Sequence, residues 1–343
     1  MSPMCCGASR ADAGRPDYGF FTMCAPAGRA GRMAGPVDPG PQGDGMADQQ
    51  AIVEKGGRLP GAGNAGLMSG VALCFLSMAS IQFGAAFSAV AIMDYGAFAT
   101  TFLRLALAAA ILTAIVRPPL RRYNRAQWLS ALALGVTIAG MTLSFFTAIE
   151  RIPLGLAVAI EFLGPLAVAT VTLGGGWRLL WPAAALAGVG LLSRDGQGWI
   201  GDPAGMFFAF VAAVGWGAYI VLVKRSGRLF TGLEGLTMSL LVATAAAAPF
   251  GLWQAGAAMN PEGLTRMLGL AVMVPLLPYA LEMTALRRMP LAAFGILMSL
   301  EPALGAMAGF LVLEQSLTAF QMLGTALVVA ASVGVTSAGA REK

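Results

Sequence analysis

The stretch AIERIPLGLAVAIEFLGPLA (residues 148–167) returns in altered form as ALRRMPLAAFGILMSLEPAL (residues 285–304). At a shift of 137 residues, Ala148, Arg151, Pro153, Leu154 and Pro165 fall on Ala285, Arg288, Pro290, Leu291 and Pro302. Chance makes a poor explanation for two prolines kept at one spacing, even in Ala- and Leu-rich sequence. What the repeat means depends on what lies between its copies.

What lies between is apolar. The chain is 57% hydrophobic and 11% charged, with a mean hydropathy of +0.73, whereas an ordinary soluble domain carries roughly 25% charged residues. From Leu67 to Ala338 it divides into segments of about 17–25 apolar residues, the length that crosses a hydrocarbon core as a helix. The spans read near 67–93, 96–116, 127–149, 154–173, 179–193, 203–223, 232–253, 264–284, 291–311 and 317–338. The fifth is short. The eighth contains Pro275 and Pro278, whose missing amide donors call for compensation by neighbouring helices or a cavity.

The two copies of the quoted stretch open the fourth and ninth spans. Five spans apart, an odd number, they cross the membrane in opposite directions, which is the inverted repeat of many secondary transporters. The expectation is an all-α integral membrane protein of ten transmembrane helices in two inverted five-helix repeats, 67–199 and 200–343.

Basic residues are retained on the cytoplasmic side. One set of loops holds Arg117, Arg121, Arg122 and Arg125, then Arg178, then Lys224, Arg225 and Arg228, then Arg287 and Arg288, with Arg341 and Lys343 at the end. The other set holds Arg151, Arg194 and Arg266. Both termini are therefore expected in the cytoplasm of a multi-pass inner-membrane protein. The net charge of +5 serves topology, and nothing in it calls for nucleic acid.

Residues 1–66 are rich in Gly, Pro, Ala and Arg, lack helical periodicity and read as a disordered tail. No apolar core of signal-peptide length follows the basic residues. Met46, shortly before the first span, is a candidate start that would leave a shorter tail. Cys5, Cys6, Cys24 and Cys74 form neither a disulfide framework nor a metal-ligand spacing.

The stretches SMASIQFGAAF (77–87), TFLRLALAA (101–109), IPLGLAVAIEFLGPLAVA (152–169) and LPYALEMTALRRMPLAAFGILMSLEPALGAMAGFLVLEQSLT (277–318) resemble the RhtA-type threonine/homoserine exporters of the drug/metabolite transporter (EamA) superfamily. The resemblance covers about 67–338 and leaves the tail aside. It implies EamA-type repeats and an inner-membrane carrier that exports small neutral amino acids, driven by the proton gradient.

An ionisable group inside a membrane span is a candidate site residue by default. Glu161 stands alone in the uncharged run LAVAIEFLGPLAVA. A carboxylate so placed finds a counter-charge or takes up a proton, so Glu161 would bind a proton or a substrate ammonium, or be a structural acid held neutral. Arg104, near the middle of the second span, would clamp a substrate carboxylate with two parallel hydrogen bonds or pair statically with Glu161 or another acid. Glu301, before Pro302, falls opposite Gly164 in the repeat, so the halves are chemically unequal; it is either a site residue or part of the packing face beside Gly305 and Gly309. Gln82, with Ser80 nearby, offers hydrogen bonds at the same depth, though interhelical bonding would also explain it. Trp216, Tyr219 and Tyr279, with Phe145 and Phe146, would line a cavity or pack. Glu282, close to Arg287 and Arg288, reads as a solvated ion pair.

With no histidine in the chain, Ser–His catalysis and histidine-ligated metals are excluded, and no phosphate-binding glycine motif sits in a strand-to-helix setting. The chain reads as a non-enzyme without cofactor or metal, whose partners are a small-molecule substrate, protons and lipid; a homodimer is compatible with it. The alternatives are an exporter of another drug or metabolite class and a non-transporting scaffold, which would not need Arg104 and Glu161 opposed at midplane depth.

Overall fold

The computed structural model describes residues 64–172, 176–194 and 198–341, which are helical almost throughout. The helices are α1 (Asn64–Tyr95), α2 (Ala97–Val116), α3 (Arg125–Ile149), α4 (Leu154–Glu161), α5 (Leu163–Thr172), α6 (Leu180–Leu192), α7 (Pro203–Leu229), α8 (Glu234–Gln254), α9 (Pro261–Ala271), α10 (Leu277–Leu286), α11 (Leu291–Met298), α12 (Glu301–Leu313) and α13 (Ala319–Arg341). Among the described residues, nine helical segments are long and apolar enough to cross a membrane. In three of them two helices run on in line: α4 with α5, α9 with α10, and α11 with α12. The short fifth span is α6, 13 apolar residues. Helix α1 begins at Asn64, so residues 64–66 belong to it and not to a tail. The expectations for residues 1–63, including Met46, Cys5, Cys6 and Cys24, fall outside the described residues.

Helix starts follow from local chemistry. Asn124 and Gln127 form a reciprocal capping box at α3, each bond 2.9 Å, and the Asp202 and Asn260 side chains accept from Gly205 and Gly263 amides ahead of Pro203 and Pro261. These bonds occupy amide donors that a helix start leaves open, and proline at the first helical position has no donor to lose.

The interruptions have a common cause. A proline removes the hydrogen bond to the carbonyl four residues before it, and its ring crowds that carbonyl. Pro165 does this to Glu161, where α4 ends, and Pro302 to Met298, where α11 ends. Both breaks were unread in the sequence, where the spans were taken as continuous. The third break lies between α9 and α10, where a π-type turn, Val272–Leu276, contains Val274 in an extended conformation (φ −149°, ψ 116°). Ser80 Oγ of α1 donates to the Met273 carbonyl at 2.9 Å, taking up an acceptor freed by the distortion.

A shift of 137 residues, as from Leu154 to Leu291, carries α4 onto α11 without remainder. The same shift carries α2 onto 234–253, against the observed α8, and α3 onto 262–286, against the observed α9–α10. Packing follows this correspondence: α3 lies against α7 as α10 lies against α1, while α2 with α8, α4 with α12 and α6 with α13 pair across the halves. Close approach between spans is permitted by glycine. A Cβ on Gly164 would run into the Ala213 carbonyl of α7, and one on Gly188 would sit 2.7 Å from the Gly324 carbonyl of α13, the small-residue contact that helices use in a medium without hydrophobic drive between them. Large apolar side chains such as Val171, Phe207, Trp253 and Met322 point outward, as lipid-facing residues do.

Candidate functional site

A cavity of about 290 Å³ opens in the middle of the bundle, at the small end of the roughly 300–1,000 Å³ typical of ligand pockets. Its walls come from α1, α2, α3, α7, the end of α4, the start of α8, both sides of the α11–α12 junction, α10 and the distorted stretch before it. All seven residues singled out in the sequence, Glu161, Arg104, Glu301, Gln82, Trp216, Tyr219 and Tyr279, line it. The breaks described above border it: Glu161 and Met298 end the helices broken by proline, and Val274 and Pro275 form the irregular turn. Non-helical backbone at membrane depth is tolerated where it lines a cavity.

Arg104 is 4% exposed and its guanidinium sits over the Phe146 ring, 4.3 Å from the centroid, a cation–π contact that offsets part of the loss of water. It makes no ion pair among the described residues, and its Nε has no hydrogen-bond acceptor. The reading of Arg104 as a static partner of Glu161 therefore fails. A buried guanidinium whose donors face a cavity is short of an acceptor, and the acceptor that matches its planar fork is a carboxylate.

Three carboxyl groups share the cavity: Glu161, Glu282 and Glu301. Glu301 is 1% exposed, with Oε2 unpartnered among the described residues. Glu282 corrects the sequence reading. It forms no ion pair with Arg287 or Arg288; its Oε1 accepts from Ser77 Oγ of α1 at 2.8 Å, and it faces the cavity. Gln82 is 4% exposed, with Oε1 likewise unpartnered among the described residues. Trp216 is held edge-on against Phe162 (centroids 5.7 Å apart), the residue at the α4–α5 break. The cavity reaches toward the end of the bundle where Leu236 opens α8 and Glu282 nears the end of α10. Toward the other end a packed apolar cluster that includes Ala89, Phe145, Ile149, Leu154, Val158 and Ala308 closes it.

Sequence reasoning missed Glu282, Thr142 and Met141 as wall residues. The repeat held the signal: the 137-residue shift places Gln82 on Tyr219, Met141 on Pro278, Thr142 on Tyr279 and Phe145 on Glu282, and all eight line the cavity. Tyr279 thus already implied Thr142, as Phe145 implied Glu282 and Pro278 implied Met141.

Comparison with known proteins agrees with this architecture. Residues 203–337 match the EamA-like transporter family. The chain is 37% identical over 274 residues to the threonine/homoserine exporter RhtA of Salmonella typhimurium (strain SL1344), covering 79% of this chain and 92% of that protein. It is 37% identical over 268 residues to the threonine/homoserine exporter RhtA of Escherichia coli (strain K12), covering 78% and 90%. One solved crystal structure superposes with a TM-score of 0.54 at 18% identity, over 81% of this chain and 98% of its own, and so shares the fold. With its apolar spans, its central cavity and near-full-length relatives among the exporters, the chain belongs to the EamA-like transporters, in their RhtA-type branch.

Proposed function

We propose that this protein exports small neutral amino acids of the threonine/homoserine class from the cytoplasm by exchange for protons, as an inner-membrane carrier. The observation that carries the reading is Arg104, a buried cation without a counter-ion among the described residues, facing a cavity shared with three carboxyl groups. A zwitterion satisfies such a site: its carboxylate occupies Arg104 and its ammonium Glu161. The near-full-length RhtA relatives supply the substrate class.

The architecture of the proposal is ten spans in two inverted halves, supported by the helix boundaries that correspond at a shift of 137 residues. Loop charges put both termini in the cytoplasm. In that orientation the cavity reaches toward the cytoplasm, and the apolar cluster around Phe145 and Leu154 is the outer seal. Substrate enters past Glu282 and settles between Arg104 and Glu161. Rocking of one half on the other opens the outer side, and a proton replaces the ammonium on Glu161 for the return. At a potential of 100 mV one inward proton supplies about 2.3 kcal/mol, enough for roughly 50-fold accumulation outside, since about 1.4 kcal/mol is a factor of ten.

The test is transport by purified protein in liposomes loaded with labelled threonine, homoserine and a panel of neutral amino acids, under an imposed proton gradient. Efflux of threonine and homoserine above that of protein-free liposomes, rising with the gradient, is the expected result. Efflux no faster than from empty liposomes for every compound rejects the substrate assignment.

A further inference from the structure

Arg104 and Glu161 account for the two charged ends of an amino acid but leave other wall groups unanswered. Gln82 Oε1 and Glu301 Oε2 are both buried, both without a hydrogen-bond partner among the described residues, and both on the cavity wall. They sit on facing helices, α1 and α12. Gly305, one turn after Glu301 on α12, brings α1 so close that its missing Cβ would lie 3.1 Å from Gln82 Oε1. Leaving a buried acceptor unmade costs about 1–3 kcal/mol, and native structures rarely leave two on one cavity wall.

We propose that Gln82 and Glu301 form a subsite that reads a hydroxyl group on the substrate side chain, and so sets selectivity among neutral amino acids. The inference rests on the zwitterion reading above and deepens it. A hydroxyl donates one hydrogen and accepts at two lone pairs. It can therefore donate to Gln82 Oε1 or to Glu301 Oε2, and it meets the Gln82 amide equally well if that amide is turned over to present its nitrogen. A methyl or methylene in the same place leaves both acceptors unmade. A second ammonium would satisfy Glu301, which makes a diamino acid the proper control.

The experiment uses the full chain in liposomes and measures competition against labelled homoserine. The competitors are unlabelled homoserine, threonine, 2-aminobutyrate (homoserine without its hydroxyl) and 2,4-diaminobutyrate (an ammonium in its place). The expected result is that 2-aminobutyrate competes at concentrations at least about tenfold higher than homoserine, equivalent to about 1.4 kcal/mol and within the cost of one unmade buried hydrogen bond. Gln82→Leu, which keeps the bulk and removes the amide, brings that ratio below about threefold by raising the KM for homoserine. If 2-aminobutyrate competes as well as homoserine with the unaltered protein, the subsite is overturned while the zwitterion reading stands. That comparison needs no variant and decides the matter even if Gln82→Leu fails to insert. Preference for 2,4-diaminobutyrate over homoserine overturns the subsite in favour of a cation site, and a ratio unchanged in a well-expressed Gln82→Leu protein overturns the role of Gln82. If no neutral amino acid is carried or competes, the proposed function itself falls, and the subsite with it.

Discussion

Glu161→Gln keeps the volume of the side chain and most of its hydrogen bonds, but glutamine cannot alternate between charged and neutral forms. On the proposed mechanism, uphill export driven by a proton gradient falls to background in this variant, while exchange of labelled for unlabelled substrate persists. Parallel efflux and counterflow assays separate the two, with chromatography in detergent to check folding; uphill export at the unaltered rate would remove Glu161 from coupling. Glu161 was legible from sequence because an acid in an uncharged membrane run has few uses besides a site, and the same logic found Arg104 and Glu301. Glu282 was misread because two arginines follow closely in the chain. They stand five and six positions on, however, whereas side chains meet along a helix at three or four, and Leu286 occupies the fourth. Ser77 of α1 is its actual neighbour. Whether Arg104 was paired could not be read from the sequence, since it depends on how far Glu161 stands across the cavity, a distance set by packing alone.

At the scale of the helix, the positions of the spans were legible because apolar length is a direct record of membrane thickness. The breaks at Phe162 and Ser299 were not, although their prolines were recognised as a matched pair, because a proline in a span read by hydropathy does not alter the average. What keeps α5 beside α7 after the first break is the lack of a side chain at Gly164, which faces the Ala213 carbonyl with Gly217 one turn further on. Gly164→Val forces these helices apart and moves Trp216 and Tyr219, which α7 contributes to the cavity. Over-packing of this kind costs roughly 1–3 kcal/mol, so the midpoint of thermal aggregation in detergent should fall by several degrees. Gly140→Ala, at a position where an added Cβ meets nothing within 4 Å, should leave that midpoint unchanged; equal losses for the two would show that glycine at 164 does not act through close approach.

For the whole molecule, the proposed orientation places the loop with Arg121 and Arg122 in the cytoplasm and the Glu150–Arg151 joint outside. Single cysteines at these loops, in a variant lacking the native four, should react with an impermeant reagent from opposite sides of the membrane. Reaction of both from one side would break the inverted arrangement. At this scale the matched prolines carried the expectation of a repeat, and the structure adds that positions related by the 137-residue shift both line the cavity, as with Gln82 and Tyr219 or Thr142 and Tyr279. On the proposed two-half architecture the correspondence is even in helix boundaries and uneven in chemistry: at the 137-residue shift Glu301 falls on Gly164, and Arg104 on Leu241. Two identical halves would offer a ligand two equivalent poses related by their common axis. Uneven ones leave a single pose, in which the carboxylate, the ammonium and the side-chain hydroxyl each meet a different partner. Three unlike contacts around one carbon distinguish a molecule from its mirror image, so on the proposed site the divergence of the two halves would also let the carrier tell left-handed from right-handed substrate.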